Sequence, residues 1–363
     1  MVAVERSWEP TVGLARQRAL YSGEIWPLYK IFIVKLLLAI PTLGFYNFWA
    51  AAKERRYHLA NLALDGDPFE WTGTGGELAI GFLKAAAFLL LLAVPGIVLT
   101  FLGNPLGSAL AQGLPLVAIF LLGPAAAYWG LRYRLSRTRW RGIRGGMVGS
   151  GLAYALRAHG WSLVMPFTLF QAVPFRSIDL ARYRISRMRF GTAPFEFSGS
   201  VRAVFGAWLA AWLLLAGMLL GLVALAPAVV TGLEGAGMIA AVGLGIVGLI
   251  LLETLGGLLL LVYAIVVYAV VVYRHTLTST SVAGIRFGTE ATVLGIIGMM
   301  LLQILLVGAT FGLARPVATH LNWRYFAQRL TVTGELDAAI RQSKLKGPGS
   351  GEGLLEAGDI GVL

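Results

Sequence analysis

Cysteine is absent from all 363 residues, which excludes disulfides, thiolate metal ligands and cysteine nucleophiles, and leaves the redox compartment open. Charge is scarce as well. Asp, Glu, Lys and Arg make up 13% of the chain against 57% apolar residues, the balance of a protein that lives in a membrane. His58, His159, His275 and His320 are the only histidines. Enzyme signatures are missing: there is no HExxH, no phosphate-cradling glycine loop ahead of Lys-Ser/Thr, and no GxSxG elbow. The expectation is a non-enzyme without cofactor or bound metal. Met1 to Gly23 is polar and mixed in charge, unlike a signal peptide, so insertion relies on internal segments. The net charge of +12 comes from basic residues that flank apolar segments without forming one stripe. That pattern points to membrane lipids with anionic headgroups as partners, and away from nucleic acid.

What the chain does have is long apolar runs. Ala79 to Leu102, an uncharged turn from Gly103 to Gln112, and Gly113 to Leu131 make a helical hairpin long enough to cross a bilayer. A second pair runs from Val204 to Val230, turns at Thr231 to Gly237, and continues from Met238 to Tyr273. This last run exceeds one ordinary span at about 1.5 Å per residue, so it requires tilt, a cytoplasmic extension or a break at Gly256-Gly257. Three further segments are interrupted. Leu28 to Trp49 carries Lys30 and Lys35 and breaks at Pro41-Thr42-Leu43-Gly44. Ser150 to Pro174 carries Arg157 and His159 and breaks at Pro166-Phe167-Thr168-Leu169-Phe170. Thr292 to Leu313 holds Gln303 and breaks at Gly308-Ala309-Thr310-Phe311-Gly312. Residues 344–363 lack apolar periodicity and are expected to be a disordered tail.

Between these segments one pattern returns. Arg182-Tyr183 through Pro194-Phe195-Glu196-Phe197-Ser198-Gly199 matches Arg56-Tyr57 through Pro68-Phe69-Glu70-Trp71-Thr72-Gly73 without a gap, 126 positions apart. Aligning on Tyr57 gives Tyr133, Tyr183, His275 and Tyr325, each preceded by an arginine: Arg56, Arg132, Arg182, Arg274 and Arg324. A weaker copy lies at Tyr21-Ser22-Gly23. The expectation is a single membrane domain over 1–343 built of three repeat modules, about 1–102, 113–230 and 238–340. Within a unit, Leu62 and Leu64 alternate, a turn follows at Asp65-Gly66-Asp67-Pro68, and Phe69 and Trp71 alternate again, which is the signature of a β-hairpin. The fold class expected is therefore an α-helical polytopic membrane protein with internal repeats and short β-hairpins between the membrane segments. The hairpins either gather in a cytoplasmic β-rich layer or remain polar loops with an aromatic rim at the headgroups.

Arg182-Tyr183 with Pro194-Phe195-Glu196-Phe197-Ser198-Gly199, the segment Thr42 to Trp49, Thr138-Arg139-Trp140-Arg141-Gly142-Ile143-Arg144 and Arg324-Tyr325-Phe326-Ala327 together resemble the YjgN family of bacterial inner-membrane proteins. The resemblance covers roughly residues 20 to 340. It implies a multi-pass protein of the bacterial inner membrane with an unassigned biochemical role, and it supplies no catalytic residues to carry over. The chain departs from its own pattern at His275 and Gly191.

Ionisable groups in apolar surroundings are costly and so are candidates for function. Glu253, between Ile250-Leu251-Leu252 and Thr254-Leu255, either binds a cation or proton, pairs with Arg157, or sits near an interface. Lys35, Arg157 and His159 either snorkel to headgroups or line a pathway. The arginines and tyrosines of the units are candidate headgroup-binding or repeat-defining residues. Two topologies remain: seven crossings, or four crossings with the three interrupted segments entering and returning on the cytoplasmic side, which places every basic loop on one face. Function is expected to be transporter- or channel-like for a small solute or ion, the alternative being a non-transporting scaffold or anionic-lipid-binding protein.

Overall fold

The computed structural model describes residues 16–234 and 239–334; within them the side chains of 16, 17, 222, 225–234, 239–247, 249, 250, 252 and 253 lie outside the description, as do the expected tail and residues 235–237 of the expected turn. Helix pairs alternate with β-hairpins along the chain. Strands β1 (Arg16–Arg18) and β2 (Leu20–Tyr21) lead into the pair α1 (Ile25–Ala39) and α2 (Tyr46–Ala60). The hairpin β3 (Leu62–Leu64) and β4 (Asp67–Trp71) precedes α3 (Gly75–Phe101) and α4 (Gly107–Arg137). Then come β5 (Thr138–Trp140), β6 (Ile143–Met147), α5 (Gly151–Phe167) and α6 (Val173–Ile185). They are followed by β7 (Met188–Phe190), β8 (Ala193–Phe197), α7 (Arg202–Glu234) and α8 (Ile239–Thr278). The last are β9 (Thr280–Val282), β10 (Ile285–Thr289), α9 (Val293–Ala309), α10 (Arg315–Arg329) and β11 (Leu330–Thr333).

A two-residue turn with both central φ angles positive folds strands back on themselves with the right twist. Three of the four hairpins use one: Asp65-Gly66 (φ 55 and 80), Arg141-Gly142 (φ 50 and 73) and Ala283-Gly284 (φ 48 and 83). Isolated hairpins of this length are marginal, and here they join one antiparallel sheet of order β1-β11-β10-β9-β8-β7-β6-β5-β4-β3-β2. Its two ends are one piece of chain. Arg16 to Arg18 pairs with Thr331 to Thr333, Leu20-Tyr21 pairs with Leu62-Ala63, and the Ala19 amide between them donates to the Leu330 carbonyl at 3.3 Å. Six extended residues reach about 17 Å, whereas the nine strands from β11 to β3, laid flat, measure about 38 Å across. The sheet therefore curls until residues 16–21 bridge its ends.

The interior of that curl is filled. A single apolar cluster takes Leu64, Phe69, Trp140, Phe190, Phe195, Val282, Ile285 and Val332 from eight different strands, with Ala19 joining it from the closing segment. The alternation legible in the units is the cause: Phe195 and Phe197 point one way while Pro194 and Glu196 are exposed.

Four helices are long and apolar enough to cross a membrane by length and composition: α3, α4, Arg202–Gly221 of α7, and Thr254–Thr278 of α8. Their side chains face outward, for example Leu91 at 68% and Leu259 at 71% exposure, as lipid-facing residues do. α8 runs unbroken for 40 residues through Gly256-Gly257, so the break considered at that pair does not occur. Gly257 instead packs against α7, where an added Cβ would stand 2.3 Å from the Met218 sulfur.

The three interrupted segments fold as short pairs, α1/α2, α5/α6 and α9/α10, of which α9, 17 residues long and uncharged, is the most apolar limb. Each tip is built on a threonine. The hydroxyls of Thr42, Thr168 and Thr310 donate back to the carbonyls of Leu38, Val164 and Leu306 and accept from the amides of Tyr46, Ala172 and Ala314. Left-handed residues follow: Leu43-Gly44, Leu169-Phe170 and Phe311-Gly312. Their second members donate to Ala39, Met165 and Val307. Two tips are anchored to a long helix. The Leu169 carbonyl accepts from Trp212 Nε1 at 2.8 Å, and the Phe45 ring meets Phe82 at 6.5 Å.

Substantial helix packing runs between neighbours in the chain, α6 touches both α7 and α8, and α10 returns to α1. The helices thus stand in a ring that follows the strand order.

Candidate functional site

The recurring tyrosine sits in the last turns of a helix, ahead of the strands, and each copy reaches the start of another helix. The Tyr57 hydroxyl donates to the Glu24 carbonyl at 2.9 Å and accepts from the Glu24 amide at 2.6 Å, at the N-cap of α1. Tyr133 donates to Glu77 Oε2 at 2.8 Å in the first turn of α3. Tyr183 donates to the carbonyl of Ser150, the N-cap of α5, at 3.0 Å. The Tyr325 hydroxyl lies so close to Gly295 in the first turn of α9 that a Cβ there would stand 2.2 Å from it. His275 keeps the contact by changing role: its Nε2 accepts from the Ser200 amide at 2.9 Å, just before α7. A helix start has unpaired amides and a partial positive charge, so a fixed oxygen or nitrogen there orders it.

The arginines before the tyrosines divide into two groups. Arg56 donates to the Gly73 carbonyl at 3.3 Å and Arg182 to the Gly199 carbonyl at 2.9 Å, the same contact 126 positions apart. Arg132 is half-buried and also engaged, while Arg274 and Arg324 are exposed at helix ends. One turn further on, Arg187 and Arg329 cover the rings of Tyr183 and Tyr325 at 3.6 and 3.9 Å, within cation–π range.

The polar residues of the apolar segments are also matched. Arg157 has a carboxylate partner on the neighbouring helix. It grips Asp179 through Nε at 2.6 Å and Nη2 at 3.0 Å, and Trp161 Nε1 donates to the same carboxylate at 2.8 Å. Partial burial works to raise the Asp179 carboxyl, but the hydrogen bonds from Arg157 and Trp161 and the nearby Arg182 charge outweigh it and hold it below the ordinary range. Asp179 is the only acidic residue between Glu77 and Glu196, which was the signal for it. The backbone at Glu253 lies within α8, but its side chain lies outside the described residues. His159 Nε2 contacts the Leu121 carbonyl at 2.9 Å, against the Phe120 ring. Lys35 shares a tight space with Glu54 and Arg315; burial foremost, then the Arg315 charge, push its ammonium below its usual range, against the pull of Glu54. Asp179→Asn is expected to lower stability by about 1–2 kcal/mol, the worth of a partly exposed charge-assisted pair. An apparent melting temperature in detergent equal to that of the parent chain would refute it.

A fourth set, found only in the structure, lies where the sheet closes. Tyr21 Oη and His58 Nδ1 are 2.7 Å apart, the His58 ring stacks on Trp323 at 4.9 Å, and Tyr21 meets His320 at 5.6 Å. His58 is 1% exposed, and burial, with His320 adding to it, pushes its imidazole down to about 3. Burial pushes the Tyr21 phenol up and the His320 imidazole down. Nothing in the spacing of His58 and His320 announced their meeting, since 262 positions separate them.

Chemically these sets cap helices, tie hairpins and fill gaps. Among the described residues no group of three or more His, Asp or Glu side chains is placed to hold a metal ion. An apolar groove of about 430 Å³ lies between α7 and α8, lined by Leu213, Leu214, Gly217, Met218, Gly256 and Gly257.

A family model described as "Bacterial protein of unknown function (DUF898)" matches residues 16–357. Inner membrane protein YjgN of Salmonella typhimurium (strain LT2) is 32% identical over 154 residues, covering 42% of this chain and 36% of that protein. Inner membrane protein YjgN of Escherichia coli O157:H7 is 34% identical over 118 residues, covering 32% of this chain and 27% of that protein; its counterpart in strain K12 is 32% identical over 117 residues. The matched region thus spans about a third of the length of these relatives. No solved structure matches.

Proposed function

Since the chain belongs to the DUF898 family, and its curated relatives carry the name of inner-membrane proteins, we propose that it is a multi-pass inner-membrane protein that works as a non-catalytic scaffold and holds anionic lipid. The observation that carries this reading is the filled interior of the curled sheet, the barrel of this reading, which the apolar cluster from Leu64 to Val332 occupies. Tyr57, Tyr133, Tyr183, His275, Arg56, Arg182 and Arg157 are bound to backbone or carboxylates within the protein. Arg274 and Arg324, exposed where helices leave the barrel, are the groups offered to phosphate headgroups.

On this reading the chain is a repeat protein of five helix pairs on a barrel. The barrel and every basic loop face the cytoplasm, α3, α4, α7 and α8 cross, and the three short pairs enter and return. The threonine-based tips support re-entry, because a turn placed in hydrocarbon must satisfy its own backbone. Single cysteines introduced into this cysteine-free chain test the topology. Ser136 is buried against the Tyr133 carbonyl, so exposed Arg139 serves in its place. Cysteines at Arg139 and Ser186 are expected to be protected from an impermeant external reagent and one at Ser108 to react; external labelling of only one of Arg139→Cys and Ser186→Cys means that α5/α6 crosses.

A second reading, a transporter or channel for a small solute or ion, is favoured by the ring in which the helices stand. Any such path would have to leave beside the barrel. Purified protein in vesicles separates the readings: the scaffold is expected to pass no ion or solute above protein-free vesicles while retaining phosphatidylglycerol in native mass spectrometry. Arg274→Gln with Arg324→Gln is expected to lower that retention several-fold. Protein-dependent flux overturns the scaffold reading.

A further inference from the structure

Three apolar points project from one side of the molecule. At the tips of α1/α2, α5/α6 and α9/α10, Leu43 is 90% exposed, Phe167 89% and Phe311 97%, beside Ile40 at 85% and Leu313 at 56%. Water would penalise each of these side chains. The threonine hydrogen bonds and the left-handed turn satisfy backbone groups beneath them, which lowers the cost of placing the tips in hydrocarbon.

The long helices fix how deep the tips lie. Trp212, which holds the Leu169 carbonyl, is ten residues into α7, or about 15 Å from its start. Phe82, which meets Phe45, is seven residues into α3, or about 10 Å from its start. A hydrocarbon core is about 30 Å thick. These two tips thus end between a third and half of the way across; Lys53 to Arg56 lie further along α2 toward the barrel, while Arg176 and Arg315, in the first turns of α6 and α10, lie close to their tips, where long stems let the charged heads turn toward the headgroups.

We infer that the three short helix pairs form a wedge in one leaflet, so that the protein binds preferentially to membrane that is convex on the barrel side. The inference rests on the re-entrant topology above and adds a partner of stated geometry. Six limbs of about 10 Å diameter displace about 500 Å² in the leaflet next to the barrel and nothing in the opposite one, while the four crossing helices load both leaflets alike. A leaflet stretched by curvature has packing defects that accept such side chains; a flat one must be pushed apart.

The full chain is reconstituted from detergent at one protein-to-lipid ratio into phosphatidylethanolamine–phosphatidylglycerol vesicles of mixed size, which are then separated by size. Enrichment of several-fold in the small vesicles is expected, with the barrel outermost. The triple variant Leu43→Asn, Phe170→Asn, Phe311→Asn is expected to lose that enrichment and remain folded, because asparagine tolerates the left-handed backbone these positions adopt. Parent protein distributing evenly between sizes overturns the wedge. A bimane-labelled Phe311→Cys chain distinguishes the causes. Quenching by lipids brominated near the bilayer centre, without enrichment, leaves re-entry standing and removes the wedge. Absence of quenching by any lipid removes both, and disulfide cross-linking of Phe311→Cys between two chains identifies a second copy as what the tips meet.

Discussion

Trp140→Ala is expected to destabilise the whole protein by about 3–5 kcal/mol, the range for removing a buried aromatic ring. Trp140 is 6% exposed, lies 6.0 Å from the Phe69 ring and 5.9 Å from Phe190, and donates from Nε1 to the Asp67 carbonyl at 3.2 Å. It therefore links three consecutive hairpins from inside the barrel. Opening a cavity there frees neighbours on both sides, so every helix pair anchored to those strands should loosen together. Trp26→Ala is the control, because Trp26 is 63% exposed on α1. Detergent-solubilised variants scanned at one heating rate give the comparison, since membrane proteins commonly unfold irreversibly. Equal midpoints for the two substitutions would mean that the barrel interior is not a packed core.

Acid is expected to destabilise the protein through His58. Its imidazole is neutral in the folded state down to about pH 3, whereas in an unfolded chain it takes a proton near 6.5. Above pH 6.5 the group is neutral in both states and costs nothing. As the pH falls below that value the unfolded state gains a proton the folded state refuses, and the loss grows until pH 3. At 1.36 kcal/mol per pH unit the penalty reaches about 2 kcal/mol by pH 5, and His320, also held down, adds in the same direction. Replacing His58 by phenylalanine keeps an aromatic face for Trp323 and removes the titration. The midpoint of the parent chain should fall between pH 7 and pH 5 by several degrees more than that of His58→Phe. Parallel pH profiles would show that the buried pair does not govern acid stability.

What the sequence made legible was whatever is encoded over a few neighbouring residues. The hairpin at Leu62 to Trp71 was readable because alternation, an Asp-Gly turn and a second alternation stand in one line. The long helix pairs were readable because a bilayer demands about 20 apolar residues in a row. The purpose of the tyrosines was not, since Tyr57 acts on Glu24 and Tyr183 on Ser150, 33 positions back in each case. The sheet as a single object was hidden for the same reason. Its closure depends on five residues, Leu20-Tyr21 and Arg16 to Arg18, pairing with strands that begin 42 and 314 positions later respectively. Such short strands carry little pattern of their own. Asp179 was discoverable as the lone acid of its region, and its partner Arg157 was already in view; what hid the pair was the tip between them, which folds α6 back along α5.

The bridging of the sheet by residues 16–21 also sets a timetable. β3 leaves the ribosome soon after β2, but β11 begins 309 positions after Tyr21. At about 5–20 residues per second it arrives about 15–60 s later. For that interval the growing sheet carries an unpaired edge at β1 and a second, moving edge at its newest hairpin, the condition in which strands recruit wrong partners. Helix pairs entering the membrane between successive hairpins keep each partial sheet tethered and apart from those of other chains. A message truncated after α8 would leave the edge open for good, and the cell's proteases would meet a sheet that cannot finish.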